Sequence, residues 1–526
     1  MRNNYFLFWF LFLAGTLTAQ VEGEFDDSFN GNGWVIENIH PLDNPYDLVV
    51  QSDGKVIMAG SGGTNEDHPY LVRYNVNGTR DNSFGTNGLV NLMFDATGIY
   101  ETSIALSSSG QIYVTSSRRD ASGPFYLARL NSNGTLDNSF GTGGIISDSV
   151  ATGTDWEHVY TMALQSDGKM LLSGYVDENS SGSLYNLWVI RYNTNGTRDA
   201  SFGTAGLVLV NSLSVFNNAT PNSGDISDPN RMLVQPDGKI LIGGLFKSIT
   251  QQTEDFLLIR LNTGGSMDNT FGQYGVLFIG MQYTEQITGM ALQSDGSIII
   301  GGPCGNGYTR FRIIKVTPIG LGDVNFGTAV TSPPNSFGYT AIDISQYTDQ
   351  RITDLQVLPD DRIVASGNFG PNHLCVFRFN ADGTPDNTFS VNGRADSSMM
   401  QNSQSSYRIK YDAFTSRLYV TGWIYDANLA ESYSYVTAIY NGAATGISEQ
   451  EENPISIYPN PAEDQLFISG FNGQADVEVL STDGRLVWKG QRNNGEALPA
   501  GSWGSGLYFV RVLTNERMYV KKIMVQ

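Results

Sequence analysis

Cysteine is almost absent from this chain: Cys304 and Cys375 are the only two in 526 residues. That count excludes a disulfide framework. The two fall in different repeat registers, one expected in a loop and one in a strand, so both are read as unpaired thiols. Histidine is nearly as scarce, with His40, His68, His158 and His373 all in stretches read as irregular connections. Basic residues are outnumbered, 31 Lys and Arg against 52 Asp and Glu, for a net charge of −21. A surface of that sign repels the phosphates of nucleic acids and of anionic membranes, so no nucleic-acid partner is expected. Long apolar runs are missing too, apart from residues 5–13, which follow Arg2 and precede a mostly small-residue stretch ending Leu17-Thr18-Ala19. That run is too short to span a bilayer and reads as the core of a signal peptide, residues 1–19, cleaved before Gln20. With no cysteine at the junction, a lipid anchor is not expected.

What the chain does have is repetition. A phrase reading RLNSNGTLDNSFGTGG at residues 129–144 returns from Arg73, Arg191, Arg260, Lys315 and Arg378, and its second half stands alone at residues 25–33. Every copy carries an aspartate (Asp26, Asp81, Asp137, Asp199, Asp268, Asp323, Asp386) and, three residues on, a phenylalanine (Phe29, Phe84, Phe140, Phe202, Phe271, Phe326, Phe389). Between phrases lies a second element, apolar alternation around an Asp-Gly turn, as in LVVQSDGKVIMAG at 48–60 and MALQSDGKMLLSG at 162–174. Such a pattern is a strong hairpin signal. Four strands can be placed per repeat, for example 89–94, 102–107, 111–116 and 125–130, and a fixed period with this content predicts a β-propeller. Seven phrases predict seven blades. The half-phrase at the N-terminus is the half missing after residue 440, so residues 34–38 are expected to pair with 435–440 and close the ring.

These two motifs, recurring in order over residues 25–442, resemble the delta-60 repeat of exported bacterial proteins. The resemblance brings no catalytic residues with it. Residues 443–453 are small, polar and acidic and read as a linker. Residues 454–526 alternate as short strands and predict a small β-sandwich, so the fold class expected is all-β, a seven-bladed propeller followed by a β-sandwich. The Tyr458-Pro459-Asn460-Pro461 opening, the Asp483-Gly484-Arg485 turn, the Gly506-to-Val510 strand and the Lys521-Lys522 pair resemble the type A sorting domain of the type IX secretion system of Bacteroidetes-like bacteria. That resemblance implies partnership with the outer-membrane secretion machinery and a sortase through residues 454–526, and a secreted or cell-surface location.

Chemistry is sparse. The Asn131, Asn133 and Asp137 oxygens suggest a calcium loop, but the Lys315 copy has Thr317 and Ile319 at the first two positions and keeps Asp323. Turn formation and capping account for the pattern better, so no cofactor is expected and calcium stands as the lesser alternative. Each phrase arginine is expected to pair with the aspartate eight residues on, and each phenylalanine to be core. Asp155, Glu157 and His158 form the one compact acid–base group, read as a solvated loop. No catalytic residue and no metal ligand is assigned.

In a four-stranded meander the connections alternate between two ends. The Asp-Gly turns and the phrases therefore share one end, and the variable connections, including 95–101, 211–230 and 333–350, share the other. Variable loops on one face of a repeat protein mark a binding surface. The ligand-binding candidates on that end are Trp156, His158, Tyr175, Tyr308, Tyr347, Tyr407, Trp423 and Tyr425, aromatic or imidazole groups suited to stacking on sugars or anchoring a protein. The expected function is a monomeric binding or structural module with a glycan or protein ligand, and the alternative is a polysaccharide-degrading enzyme using the same face.

Overall fold

The computed structural model describes residues 21–525 apart from 41–42, 64–67, 95–98, 119–122, 151–155, 178–184, 211–223, 249–253, 281–284, 306–309, 331–336, 342–349, 371–372, 398–402, 427–430, 443–454, 460–461, 463, 472, 482–485 and 514–517. The signal-peptide and linker expectations thus lie outside the described residues.

Among the described residues seven antiparallel sheets form successive blades, six of them on one four-stranded plan. In the first blade Asn44–Val50, Val56–Gly62, His68–Tyr74 and Leu89–Asn91 lie side by side in that order. In the second the strands are Ile99–Leu106, Ile112–Arg118, Phe125–Leu130 and Ile145–Asp148. Blades three, four and six repeat the order from Trp156–Leu164, Gly224–Val234 and Gln350–Val357 respectively. The grouping read from sequence is therefore displaced by one strand: the stretch after a phrase belongs with the strands before it. The cause is the phrase itself, which turns the chain back on the third strand, as when Arg73 N donates to Gly88 O and Asp81 N to Arg73 O.

The fifth blade departs from the plan in the copy that lacks the consensus residues. There Gly338–Thr340 pairs with Arg310–Val316, and Ala329–Val330 adds a fifth, outermost strand. Lys315 reaches Asp295 at 3.1 Å, so the pairing expected with Asp323 is replaced by one across the Asp-Gly turn. Three histidines expected in connections also stand in strands: His68 and His373 open theirs, and His158 lies within Trp156–Leu164. Cys304 ends the strand Ile298–Cys304 instead of lying in a loop; both cysteines are buried and unpaired.

The seventh blade closes the ring. Trp34–Glu37 forms its outer strand on Glu431–Tyr440, with Trp34 opposite Thr437 and Glu37 opposite Ser434. A second circle of bonds runs through the phrases. Gly85 N donates to Asn133 O at 2.9 Å and Gly203 N to Gly264 O at 2.9 Å, each tying one blade to the next. The circle ends where it began, with Ser390 N donating to Glu22 O at 2.7 Å.

Each phrase is a compact packing unit. Arg129 Nε donates to Asp137 Oδ2 at 2.9 Å, its guanidinium lies 4.7 Å above the Phe140 ring, and its Nη1 donates to Thr194 O of the next blade at 2.5 Å. Arg73, Arg191 and Arg260 repeat all three contacts. The Asp137 Oδ1 atom accepts from Ser139 N and Oγ, the capping role expected of it. The Asn-Gly step has two causes: Gly134 sits at φ +88°, and a Cβ there would stand 2.9 Å from the Phe84 ring of the preceding blade. Phe84, Phe140 and Phe202 are wholly buried.

The C-terminal unit, from Asn441 onward, is a sandwich of a three-stranded and a four-stranded sheet. Its core alternates along the strands, with Val477 and Val479 facing Val510 and Val512. Leu466, Ile468 and Leu498 supply the other layer.

Candidate functional site

The first strand of each blade lines the propeller axis, and in five of them the register slips by a β-bulge before the Asp-Gly turn. Bulges turn side chains away from the sheet and recur beside functional sites. Counting back seven residues from the first turn position, and eight in the seventh blade with its longer turn, gives one residue per blade: Tyr46, Thr102, Tyr160, Asn230, Thr288, Thr353 and Tyr407. All seven line a single axial cup of about 710 Å³. Ser61, Pro303, Asn368 and Trp423, near the far ends of second strands, stand on its wall. The cup therefore opens at the end opposite the Asp-Gly turns, the end that carries the variable connections.

The next residue in each strand builds the floor, and here the repeat is broken by charge: Asp47, Arg231, Asp354 and Arg408. Arg231 of the fourth blade reaches Asp354 of the sixth, its Nη2 3.1 Å from Oδ1, and donates from Nη2 to Thr353 O at 3.0 Å. Arg408 of the seventh blade stands 3.6 Å from Asp47 of the first. The carboxylates are also anchored by backbone, Asp47 Oδ2 accepting from Ile104 N and Asp354 Oδ2 from Ile409 N, so each ties its blade to the next. Burial and the neighbouring Arg408 charge push the Arg231 guanidinium down to about 10. Glu101, also on the wall, is held at φ +31° in the second blade's bulge, a strained position for a residue with a Cβ.

Aromatic rings gather on one side. Tyr46 and Tyr407 have centroids 5.7 Å apart, and Trp423 Nε1 donates to the Tyr407 hydroxyl at 3.1 Å. On the third blade His158, Tyr160 and Tyr175 form a cluster, with His158 and Tyr175 5.1 Å apart and Tyr160 lining the cup. Burial pushes the His158 imidazole below its ordinary value, so the ring is neutral at neutral pH.

Of the residues singled out in sequence, the structure brings Tyr407 and Trp423 into the cup and places His158 and Tyr175 behind Tyr160. Tyr425 is half-buried two residues beyond Trp423 and is not part of the lining. Trp156 lies in the first strand of blade three, with its side chain outside the described residues, as are Tyr308 and Tyr347 altogether. Glu157 and His158 are adjacent in a strand and point to opposite faces, Glu157 Oε2 accepting from Val150 N, so they form no acid–base pair; Asp155 lies outside the described residues. Among the described residues no group of three His, Cys, Asp or Glu side chains converges as a metal site would require. Sequence reasoning missed Tyr46, Tyr160 and the four floor charges. The signal for them was register alone, since Asp47, Arg231, Asp354 and Arg408 stand where the other blades carry Ser103, Thr161 and Gly289.

Two family models match parts of the chain. The family model described as "Domain of unknown function (DUF5122) beta-propeller" matches residues 51–84, 108–140, 165–202, 235–271 and 358–389. The "Secretion system C-terminal sorting domain" matches residues 456–526. No curated protein matches the chain. Among solved structures, the β-propeller domain of the trilobed protease from Pyrococcus furiosus is 9% identical with TM-score 0.39, covering 77% of this chain and 100% of its own. A polysaccharide lyase of the ulvan lyase family is 11% identical with TM-score 0.43, covering 79% and 98%. Trypanosoma rangeli sialidase is 9% identical with TM-score 0.39, covering 93% and 89%. The chain is thus a β-propeller of DUF5122 repeats, followed by a type IX secretion system C-terminal sorting domain that marks it for export.

Proposed function

We propose that this protein is a bacterial surface or secreted binding module, delivered by a cleaved signal peptide and the type IX machinery, that takes a glycan into its axial cup. The observation that carries the reading is the convergence of seven register-equivalent residues, three of them tyrosines and three threonines, on one cavity that opens at the variable end. Tyrosine and tryptophan faces stack on the apolar faces of sugar rings while hydroxyl and amide groups meet their hydroxyls. Thr102 adds a buried hydroxyl with no hydrogen-bond partner among the described residues, a group that a ligand hydroxyl would satisfy.

The test is a glycan array probed with the purified protein, run beside a hydrolase and lyase screen on the same polysaccharides. Binding without product release is the expected result. Product release would make the protein an enzyme acting on the same face, and silence on the array would leave a protein ligand as the occupant.

A further inference from the structure

The cup's charge is opposite to that of the molecule. The chain carries −21, yet the charged groups lining the cup are Arg231, Arg351 and Arg408 against Glu101 alone. Gathering three guanidinium groups around one cavity is unfavourable unless anions offset them. Two offsets lie below, Asp354 for Arg231 and Asp47 for Arg408, but they are not equivalent. Arg231 is mostly buried and spends Nε and Nη2 on Asp354 and Thr353 and Nη1 on Asn230 O. Arg408 approaches Asp47 only to 3.6 Å, donates from Nη1 to Tyr407 O at 3.0 Å, and makes no hydrogen bond through Nη2 among the described residues. Asp47 for its part already accepts from Leu48 N, Ser103 Oγ and Ile104 N. Arg351, on the neighbouring sixth blade, is exposed on the cup wall. The planar Arg408 guanidinium, with Nη2 unspent among the described residues, is well matched to a carboxylate or sulfate.

We propose that the ligand of the cup is an anionic saccharide, whose carboxylate or sulfate group is taken by Arg408 and Arg351 while its ring stacks on the Tyr46, Tyr407 and Trp423 side. The proposal rests on the glycan reading above and adds the ligand's charge to it. It also assigns the two arginines different work from Arg231, which holds the floor together across the axis.

The experiment is a calorimetric titration of the full chain with three oligosaccharides of equal length: an oligogalacturonate carrying carboxylates, a sulfated galactan fragment carrying sulfates, and an uncharged cello-oligosaccharide. One or both anionic ligands should bind and the neutral one should not, and the stronger of the two identifies the anion. Arg351→Gln and Arg408→Gln should each weaken that binding about tenfold, the equivalent of about 1.4 kcal/mol. Because Arg408 touches Asp47, its variant is checked for an unchanged melting temperature; Arg351 is exposed and gives the decisive comparison if the other variant unfolds. Binding of the neutral ligand alone, or unchanged affinity in Arg351→Gln, overturns the anionic assignment and leaves the glycan reading standing. No binding by any of the three, together with a silent array, removes both.

Discussion

Arg378 donates through Nη2 to the carboxylate of Glu22, a residue 356 positions earlier in the chain. In the first four blades the matching arginine reaches the next repeat by donating to a turn carbonyl, so at the seam Glu22 supplies a contact across the joint that a following blade supplies elsewhere. Glu22 O also receives Ser390 N, and Trp34–Glu37 covers the last strand edge. Removing residues 21–37 should therefore lower the melting temperature and expose an edge that self-associates, seen together by calorimetry and light scattering. Glu22→Ala alone should cost toward the lower end of about 1–3 kcal/mol in denaturant unfolding, because the Glu22 side chain is 33% exposed.

Phe140 tests the phrase as a packing unit. It is fully buried, with Arg129 above it and Gly196 of the next blade against it. Phe140→Ala should destabilise by about 3–5 kcal/mol through the cavity it leaves, and should leave the affinity of the folded fraction unchanged. A loss below about 1 kcal/mol would mean the phrases do not hold the blades together.

Acid should undo the same contacts. Burial pushes the Asp386 carboxyl up, but hydrogen bonds from Thr388 and Arg378 and the Arg378 charge outweigh it and hold the group at about 2 against an ordinary 3.8. At Asp199 the hydrogen bonds from Lys169 and Ser201 lead, and the carboxyl is likewise held well below the usual range. A carboxylate depressed in the folded state contributes stability that is complete above the unfolded value and is lost as pH falls through the folded one. The melting temperature should thus hold steady down to about pH 4 and fall between there and about pH 2. Asp386→Asn should melt lower at neutral pH and show a shallower acid decline; equal slopes for both proteins would rule the pair out as the source.

The sorting domain predicts location. A chain lacking residues 454–526 should fold as a propeller and fail to reach the surface or the medium, accumulating in the periplasm. Fractionation and surface protease digestion read this directly, and unchanged display would refute the sorting role.

The architecture was legible because local and long-range signals agree: the Asn-Gly turn, the aspartate cap and the Phe series each repeat, and Gly134 shows that one glycine serves both the turn and the packing of the blade before it. Blade closure was legible from the split phrase. Strand membership was not, since nothing local says whether residues 89–91 pair backward or forward; the hydrogen bonds of Arg73 and Asp81 across the phrase decide that. At the site, Trp423 and Tyr407 stood out as large aromatics, whereas Tyr46 and Arg231 did not, because each is ordinary in its own strand. Their meaning comes from ring closure, which brings equivalent positions of different blades to one axis and sets Arg231 against Asp354, 123 residues away.

The central claim is that ligand enters the axial cup and not the phrase-bearing end. One binding isotherm compares wild-type protein with the Tyr46→Ala/Tyr407→Ala variant and with Asn133→Ala/Asn195→Ala, which alters exposed phrase turns, using the glycan selected on the array. The account predicts at least about tenfold weaker binding for the tyrosine variant and wild-type affinity for the asparagine variant, with both proteins folded. Retained affinity in the tyrosine variant and loss in the asparagine variant would contradict it.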